Sequence, residues 1–360
     1  MKEVRMRWLL VVAGLLAAGG LAQTPPPPAA QTAEQNPLRL GVQLYALGRY
    51  DAALTLFERA LKENPQDPEA LYWLARTQLK LGLVNPALEN GKTLVARNPR
   101  YLGGYMVLSE AYVALYRQAE DRERGKGYLE QALSVLKDAE RVNPRYAPLH
   151  LQRGLVYALL GERDKAEASL KQALALEDTP EIRSALAELY LSMGRLDEAL
   201  AQYAKALEQA PKDLDLRVRY ASALLLKGKA EEAARVLEEG HRIKPLNAEG
   251  WYTLGQAYLA LGRTKEAGVA LENAVALAPL RFPAAYYYLG QVYLALGDYP
   301  KAKSRLTAAV RLEPKRAEYR YSLCLANEKL GDKEGARYQC QEALKLKPDY
   351  KEAEEVLKRL

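Results

Sequence analysis

Residues 248–281 read AEGWYTLGQAYLALGRTKEAGVALENAVALAPLR. Trp251, Leu254 and Tyr258 recur at the three- and four-residue spacing of one face of an α-helix. Gly262 stops that helix, because glycine takes the left-handed conformation of a helix end without a Cβ penalty. Ala267, Leu271 and Ala274 mark the buried stripe of a second helix, and Pro279, which a helix interior does not tolerate, ends it. The stretch predicts two amphipathic helices of about 12–14 residues, each roughly 18–21 Å long, joined by a tight turn.

The same text repeats along the chain. Its alanine recurs as Ala53, Ala87, Ala132, Ala166, Ala199, Ala233, Ala267, Ala302 and Ala336, 34 residues apart wherever the spacing is uninterrupted. The glycine recurs as Gly48, Gly82, Gly127, Gly161, Gly194, Gly228, Gly262, Gly297 and Gly331. The proline recurs from Pro65 to Pro348 in every repeat but the fourth, where Asp178 stands in its place and Pro180 opens the next helix. A fixed period of this length means an array of supersecondary units rather than a globular domain. At the contact position of the first helix every residue is small: Gly41, Ala75, Ser109, Gly154, Ala187, Ala221, Gly255, Gly290 and Cys324. Small residues there let two antiparallel helices approach closely, and these are expected to sit opposite the periodic alanines.

This unit resembles the tetratricopeptide repeat (TPR), whose pattern is matched by Trp251, Leu254, Gly255, Tyr258, Ala267, Leu271 and Pro279. Some repeats drift: Gln78 and Asn327 replace the tyrosine, and Gly91 and Cys340 occupy the large apolar position. The resemblance implies an all-α fold, a right-handed superhelical α-solenoid of nine TPR helix pairs plus a C-terminal capping helix. The repeats fall at 34–67, 68–101, 102–146 with an insertion, 147–179, 180–213, 214–247, 248–282, 283–316 and 317–350. Residues 351–360 form the cap, with Ala353, Val356, Leu357 and Leu360 on one stripe. Asn36 and Pro37 suit the N-cap and first position of the opening helix.

The first residues differ in kind. Lys2, Arg5 and Arg7 precede an apolar run from Trp8 to Ala18, and Gly20-Leu21-Ala22 offers small residues for a peptidase. Residues 1–22 read as a signal peptide cleaved after Ala22, and 23–35 as a Pro-rich disordered linker. Export to the periplasm or cell envelope follows, with an uncleaved inner-membrane anchor, the repeats outside, as the alternative. Any membrane contact would run through that segment alone. Removing Lys2, Arg5, Arg7 and Glu3 lowers the net charge from +7 to +5, which does not suggest nucleic acid.

The two cysteines, Cys324 and Cys340, lie on facing sides of the ninth repeat. One reading is a disulfide, which an oxidising compartment preserves. The other is two small core residues, since their expected heights differ by about one helical turn and a disulfide needs Cα atoms within about 7 Å. No catalytic set, cofactor motif or metal-ligand spacing occurs; His150 and His241 stand in different repeats. The chain therefore reads as a non-enzyme without cofactors, and the question becomes which surface binds.

In the resembled family the first helices line the inner face, which holds extended peptides or helices. At the fifth and ninth positions of those helices stand Tyr252 and Gln256, Tyr287 and Gln291, then Tyr321 and Leu325, with Tyr288 beside them. Tyr72, Trp73 and Arg76 make a comparable cluster near the N-terminus. Such a ladder can clasp a peptide backbone, or its rings can simply pack between adjacent helices. On the first reading, Tyr252→Ala with Tyr287→Ala weakens binding and leaves melting nearly unchanged. No repeat carries the Lys and Asn pair of the charged clamp by which some family members hold a C-terminal carboxylate. Two departures remain. About eleven extra residues around Arg117–Lys126 predict a solvated loop or longer helices. Arg153, on a normally apolar position near His150, would snorkel, pair with a carboxylate such as Glu110, or await a ligand. The sequence thus points to an exported scaffold that binds a protein or peptide partner in its groove. The alternatives are a small-molecule or lipid-binding module of a transport system and a self-assembling envelope scaffold.

Overall fold

The structure, a computed structural model, describes residues 36–360, so the expected signal and linker segments lie outside the described residues. Among these residues there are 19 helices and no strand. In order they are α1 (Pro37–Ala46), α2 (Tyr50–Glu63), α3 (Pro68–Lys80), α4 (Val84–Arg97), α5 (Leu102–Gln118), α6 (Arg122–Val142), α7 (Ala147–Leu160), α8 (Arg163–Leu176), α9 (Pro180–Ser192) and α10 (Leu196–Gln209). There follow α11 (Leu214–Leu226), α12 (Ala230–Ile243), α13 (Ala248–Ala260), α14 (Thr264–Leu277), α15 (Pro283–Ala295), α16 (Tyr299–Leu312), α17 (Ala317–Lys329), α18 (Lys333–Leu346) and α19 (Lys351–Arg359).

The helix ends follow local chemistry. Asn36 caps α1 through Leu38 N and Arg39 N, with Pro37 at the first position. Gly262 adopts φ +71°, and Pro279 comes two residues after the last residue of α14. Gly127 is the exception: it lies inside α6 rather than ending a helix. The extra residues of the third repeat are absorbed largely by helix extension. α5 runs for 17 residues and α6 for 21, which leaves only residues 119–121 between them. Asp121 caps α6 through Glu123 N and Arg124 N.

The chain forms two compact bodies, one ending at Val107 and one beginning at Leu108. In the first body, α1 packs on α2, α2 on α3 and α3 on α4, around Ala53, Phe57, Leu71, Leu74 and Leu94. In the second, each helix from α6 onward packs on the next, and first helices of neighbouring repeats also touch: α7 with α9, α11 with α13, α15 with α17. One apolar cluster runs from Ala166 to Val292 without a break between repeats.

The seam inside each helix pair differs from the expected one. A Cβ placed on Gly255 would lie 2.7 Å from Leu271 Cγ and 2.8 Å from its Cδ2. Gly41 stands in the same relation to Phe57, and Gly154 to Leu170. The small residue therefore faces the large side chain at the twenty-fourth position, not the periodic alanine one turn earlier. In the ninth repeat these same two positions are Cys324 and Cys340. They form a disulfide with Cα atoms 5.4 Å apart, so the expected height difference does not exist. Both cysteines are fully buried, in a small cluster with Ala336, Ala353 and Val356 that includes the inner face of α19.

Salt bridges and tyrosines tie successive repeats of the second body. Tyr190 donates its hydroxyl to Glu167 at 3.2 Å, and Arg195 bonds the same carboxylate at 2.6 Å while lying over the Tyr190 ring. Hydrogen bonds from Arg195, then Lys171, hold Glu167 down at about 2 against the opposing effect of burial. Tyr258 with Glu238, and Tyr293 with Glu272, repeat the pairing, each at 2.8 Å. Many tyrosines are thus used between repeats, which widens the sequence-based view that they line a groove.

Two stability outcomes follow. Gly255→Ala overpacks the seam at a cost of about 1–3 kcal/mol. Better helix propensity returns roughly 1 kcal/mol. A net loss of up to about 2 kcal/mol is expected in denaturant melts, and a stabilised variant would contradict the seam. Cys324→Ala with Cys340→Ala opens a loop spanning 16 residues, worth about 3 kcal/mol in the chain-entropy model. Because stability in a repeat array is a nearest-neighbour property, amide exchange is expected to rise over α17–α19 and stay unchanged over α9–α12.

Candidate functional site

The sequence-predicted ladder lies on α13, α15 and α17, and the structure shows what each ring touches. Tyr252 stacks on Phe282 with centroids 4.8 Å apart and planes 13° apart. Tyr287 stacks on Tyr319 at 4.7 Å and lies 5.5 Å from Tyr288. Tyr321 packs on Tyr350 at 4.9 Å. Phe282 and Tyr350 sit in the connections just before α15 and α19. Each fifth-position ring therefore meets an aromatic side chain supplied by the next repeat or by the connection leading on. The rings of Tyr252, Tyr287, Tyr288 and Tyr321 remain half-buried, one side against protein. Gln256 donates Nε2 to the Tyr252 hydroxyl at 3.2 Å, and Gln291 donates to Ser322 Oγ at 2.6 Å. Positive charge borders the rings: Arg281 over Phe282 at 5.2 Å, Arg316 over Tyr319 at 5.8 Å, Lys347 over Tyr350 at 4.7 Å. Burial, then the neighbouring Tyr288, pushes the Tyr252 phenol up to about 12. Burial likewise raises Tyr319 and Tyr350 to about 12.

These stacks correct one expectation. Tyr252→Ala with Tyr287→Ala would remove two aromatic pairs, each worth about 0.5–1.5 kcal/mol beyond area burial, so melting cannot stay unchanged.

The N-terminal cluster belongs to the first body and is built the same way. Tyr72 packs edge-on to Trp73 at 5.4 Å and to Tyr101 at 5.9 Å. Arg76 lies 5.6–5.8 Å above the rings of Tyr45, Tyr72 and Trp73 and donates to the Tyr72 hydroxyl at 3.0 Å.

His150 and Arg153 form a closed structural network. His150 is fully buried; its Nε2 lies 2.7 Å from the Pro144 carbonyl oxygen and its Nδ1 2.8 Å from Arg153 Nη2. A carbonyl only accepts and a guanidinium only donates, so the hydrogen sits on Nε2. Arg153 reaches Glu140 at 2.9 Å, rather than the expected Glu110, and Gln172 at 2.9 Å.

This network is one instance of a device the sequence reading missed. The fourth residue of several first helices donates back to the proline carbonyl six residues earlier. Tyr105 does so to Pro99 at 2.9 Å, Arg217 to Pro211 at 2.9 Å and Arg320 to Pro314 at 3.0 Å. Where the proline is missing, Arg183 binds the Asp178 carboxylate instead, at 2.6 Å and 2.5 Å. The signal was present as a donor six residues after a helix-stopping proline, disguised by three different residue types.

Comparison with known proteins agrees with this architecture. Tetratricopeptide-repeat family models match residues 44–102, 147–179, 190–281 and 287–351, together more than half of the chain. The chain belongs to the tetratricopeptide repeat family. Proteins of this family generally act as protein–protein interaction scaffolds. A crystal structure of a thermophilic TPR protein from Thermus thermophilus aligns at 99% identity and a TM-score of 0.52, covering 53% of this chain and 99% of that one. TPR repeat-containing protein YpiA of Bacillus subtilis is 26% identical over 59% of this chain and 55% of its own length. The BBSome complex member BBS4 homolog of Drosophila melanogaster is 23% identical over 64% of this chain and 49% of its own. The chain spans about half the length of these curated relatives.

The raised phenols have a measurable consequence. A neutral Tyr252 contributes stability that is whole below its ordinary value of 10.0 and is lost as pH rises toward about 12. Tyr252→Phe keeps the stack and cannot ionise. Its melting temperature is expected to fall less than that of wild type between pH about 10 and about 12, and an identical alkaline profile would contradict the burial of this ring.

Proposed function

We propose that this chain is an exported scaffold that grips an extended or helical segment of a partner protein along its first helices. The observation that carries the reading is the run of half-buried rings and amides on α13, α15 and α17. Their backs are fixed by stacking, so a partner would meet a surface already ordered, which lowers the entropic cost of binding. The rings offer apolar area with polar tips, and the amides can serve a peptide backbone of many sequences. The role contains no catalytic step. Export is supported by the charged, apolar and small-residue order of residues 1–22 and by the disulfide Cys324–Cys340, a bond that oxidising compartments preserve.

Two experiments test this. The full chain serves as bait in an envelope extract, and the retained protein is titrated against wild type and against Tyr252→Phe with Gln256→Ala. That variant keeps the stack and removes the polar pair, so about tenfold weaker binding is expected for one or two lost hydrogen bonds. Undiminished affinity would remove the ladder from the binding surface. For export, residues 1–40 are fused to alkaline phosphatase, which is active only outside the cytoplasm. An active fusion whose processed form starts at Gln23 is expected; an inactive one would overturn the localisation.

A further inference from the structure

A cleft of about 350 Å³ opens among α7, α9 and α11, well before the aromatic ladder in the chain. Its volume lies at the lower end of the range of about 300–1,000 Å³ for ligand pockets, room for a few side chains rather than a folded surface. One part of the lining is aliphatic, Leu151 and Leu155, and Leu155 is 38% exposed. The other part is acidic, with Glu181, Glu188 and Asp215. Asp213 also borders the cleft, where it caps α11 through Leu216 N. The one cation in the lining, Arg219, is held by Glu188 at 2.6 Å.

This charge balance runs against that of the chain, which is +7 overall. At physiological salt the screening length is about 8 Å, so a ligand in the cleft responds to the acids beside it and hardly to the distant excess of cations. Glu181 and Asp215 also occupy first helical turns, where the helix dipole favours a carboxylate. That accounts for their presence on the helices. It does not account for a solvent-facing leucine next to them.

We infer that the cleft receives a basic stretch of the partner polypeptide, an aliphatic side chain against Leu151 and Leu155 with a neighbouring Lys or Arg directed to Glu181 and Asp215. The inference rests on the reading of the first helices as the binding surface and names the chemistry they select. Opposite charge would set the register and the encounter rate, and the leucines would contribute the burial.

The test uses a fluorescein-labelled octapeptide of alternating Lys and Leu, its counterpart with Glu for Lys, and the full chain, read by anisotropy at physiological salt. The Lys peptide is expected to bind at least tenfold more tightly than the Glu peptide. Glu181→Lys with Asp215→Lys, and separately Leu155→Gln, are each expected to weaken it tenfold or more. Circular dichroism checks the helicity of both, and Leu155→Gln, at an exposed site, does not disturb a helix N-terminus. Equal binding of the two peptides, or unchanged affinity in both variants, overturns the inference. Tyr252→Phe with Gln256→Ala is expected to change the affinity for the Lys peptide less than either cleft variant does. If the captured partner depends on that ladder variant while the Lys peptide ignores the cleft variants, the groove stands and the cleft falls. If neither probe responds to any variant, both fall.

Discussion

The close approach of two antiparallel helices at one small residue governs the rest of this structure. Leu271 presses so close to Gly255 that a Cβ there would lie 2.7 Å from it, and Leu170 and Phe57 crowd Gly154 and Gly41 in the same way. Each of these large side chains is fully buried, and full burial of one such group is worth about 1.5–3 kcal/mol. With the second helix lying flush on the first, neighbouring first helices of the second body can touch each other, as α11 and α13 do. Their remaining faces then carry side chains free for other work. In the ninth repeat the same contact is covalent, and α19 packs beside it through Ala353 and Val356.

Much of this was legible in the text of the chain because helix ends are local. Gly262 and Pro279 act through their own backbone preferences, and the period does the rest. The register across the seam was not legible, since it depends on the relative height of two helices. Pairing Gly255 with Ala267 instead of Leu271 is a slip of one turn. The same slip made Cys324 and Cys340 look too far apart, although they occupy the facing positions. The insertion was readable only as a solvated loop or longer helices, and the structure has the longer helices. Gly127 misled, because a glycine inside a helix and one at its end look alike in sequence. Of the candidate site, the fifth-position tyrosines were readable from spacing. Their partners Phe282 and Tyr350 were not, because they come from connections whose path no periodicity fixes.

Within the second body the first helices present two chemistries in succession. The stretch from α7 to α11 offers leucines beside carboxylates, and the stretch from α13 to α17 offers stacked rings with amides and a border of cations. A polypeptide lying along both would be read by charge at one end and by aromatic contact at the other. The surface is therefore directional, although the repeats that build it share one pattern.

The bond from a fourth-position donor to the proline carbonyl ahead of it has a wider implication. Its acceptor is a main-chain oxygen, and tyrosine, histidine and arginine all satisfy it. At this bond, adjoining modules meet whichever of the three donors the later one carries. A joint of this kind fixes no residue type on its accepting side, which leaves the donor position free to vary while the two modules keep their contact.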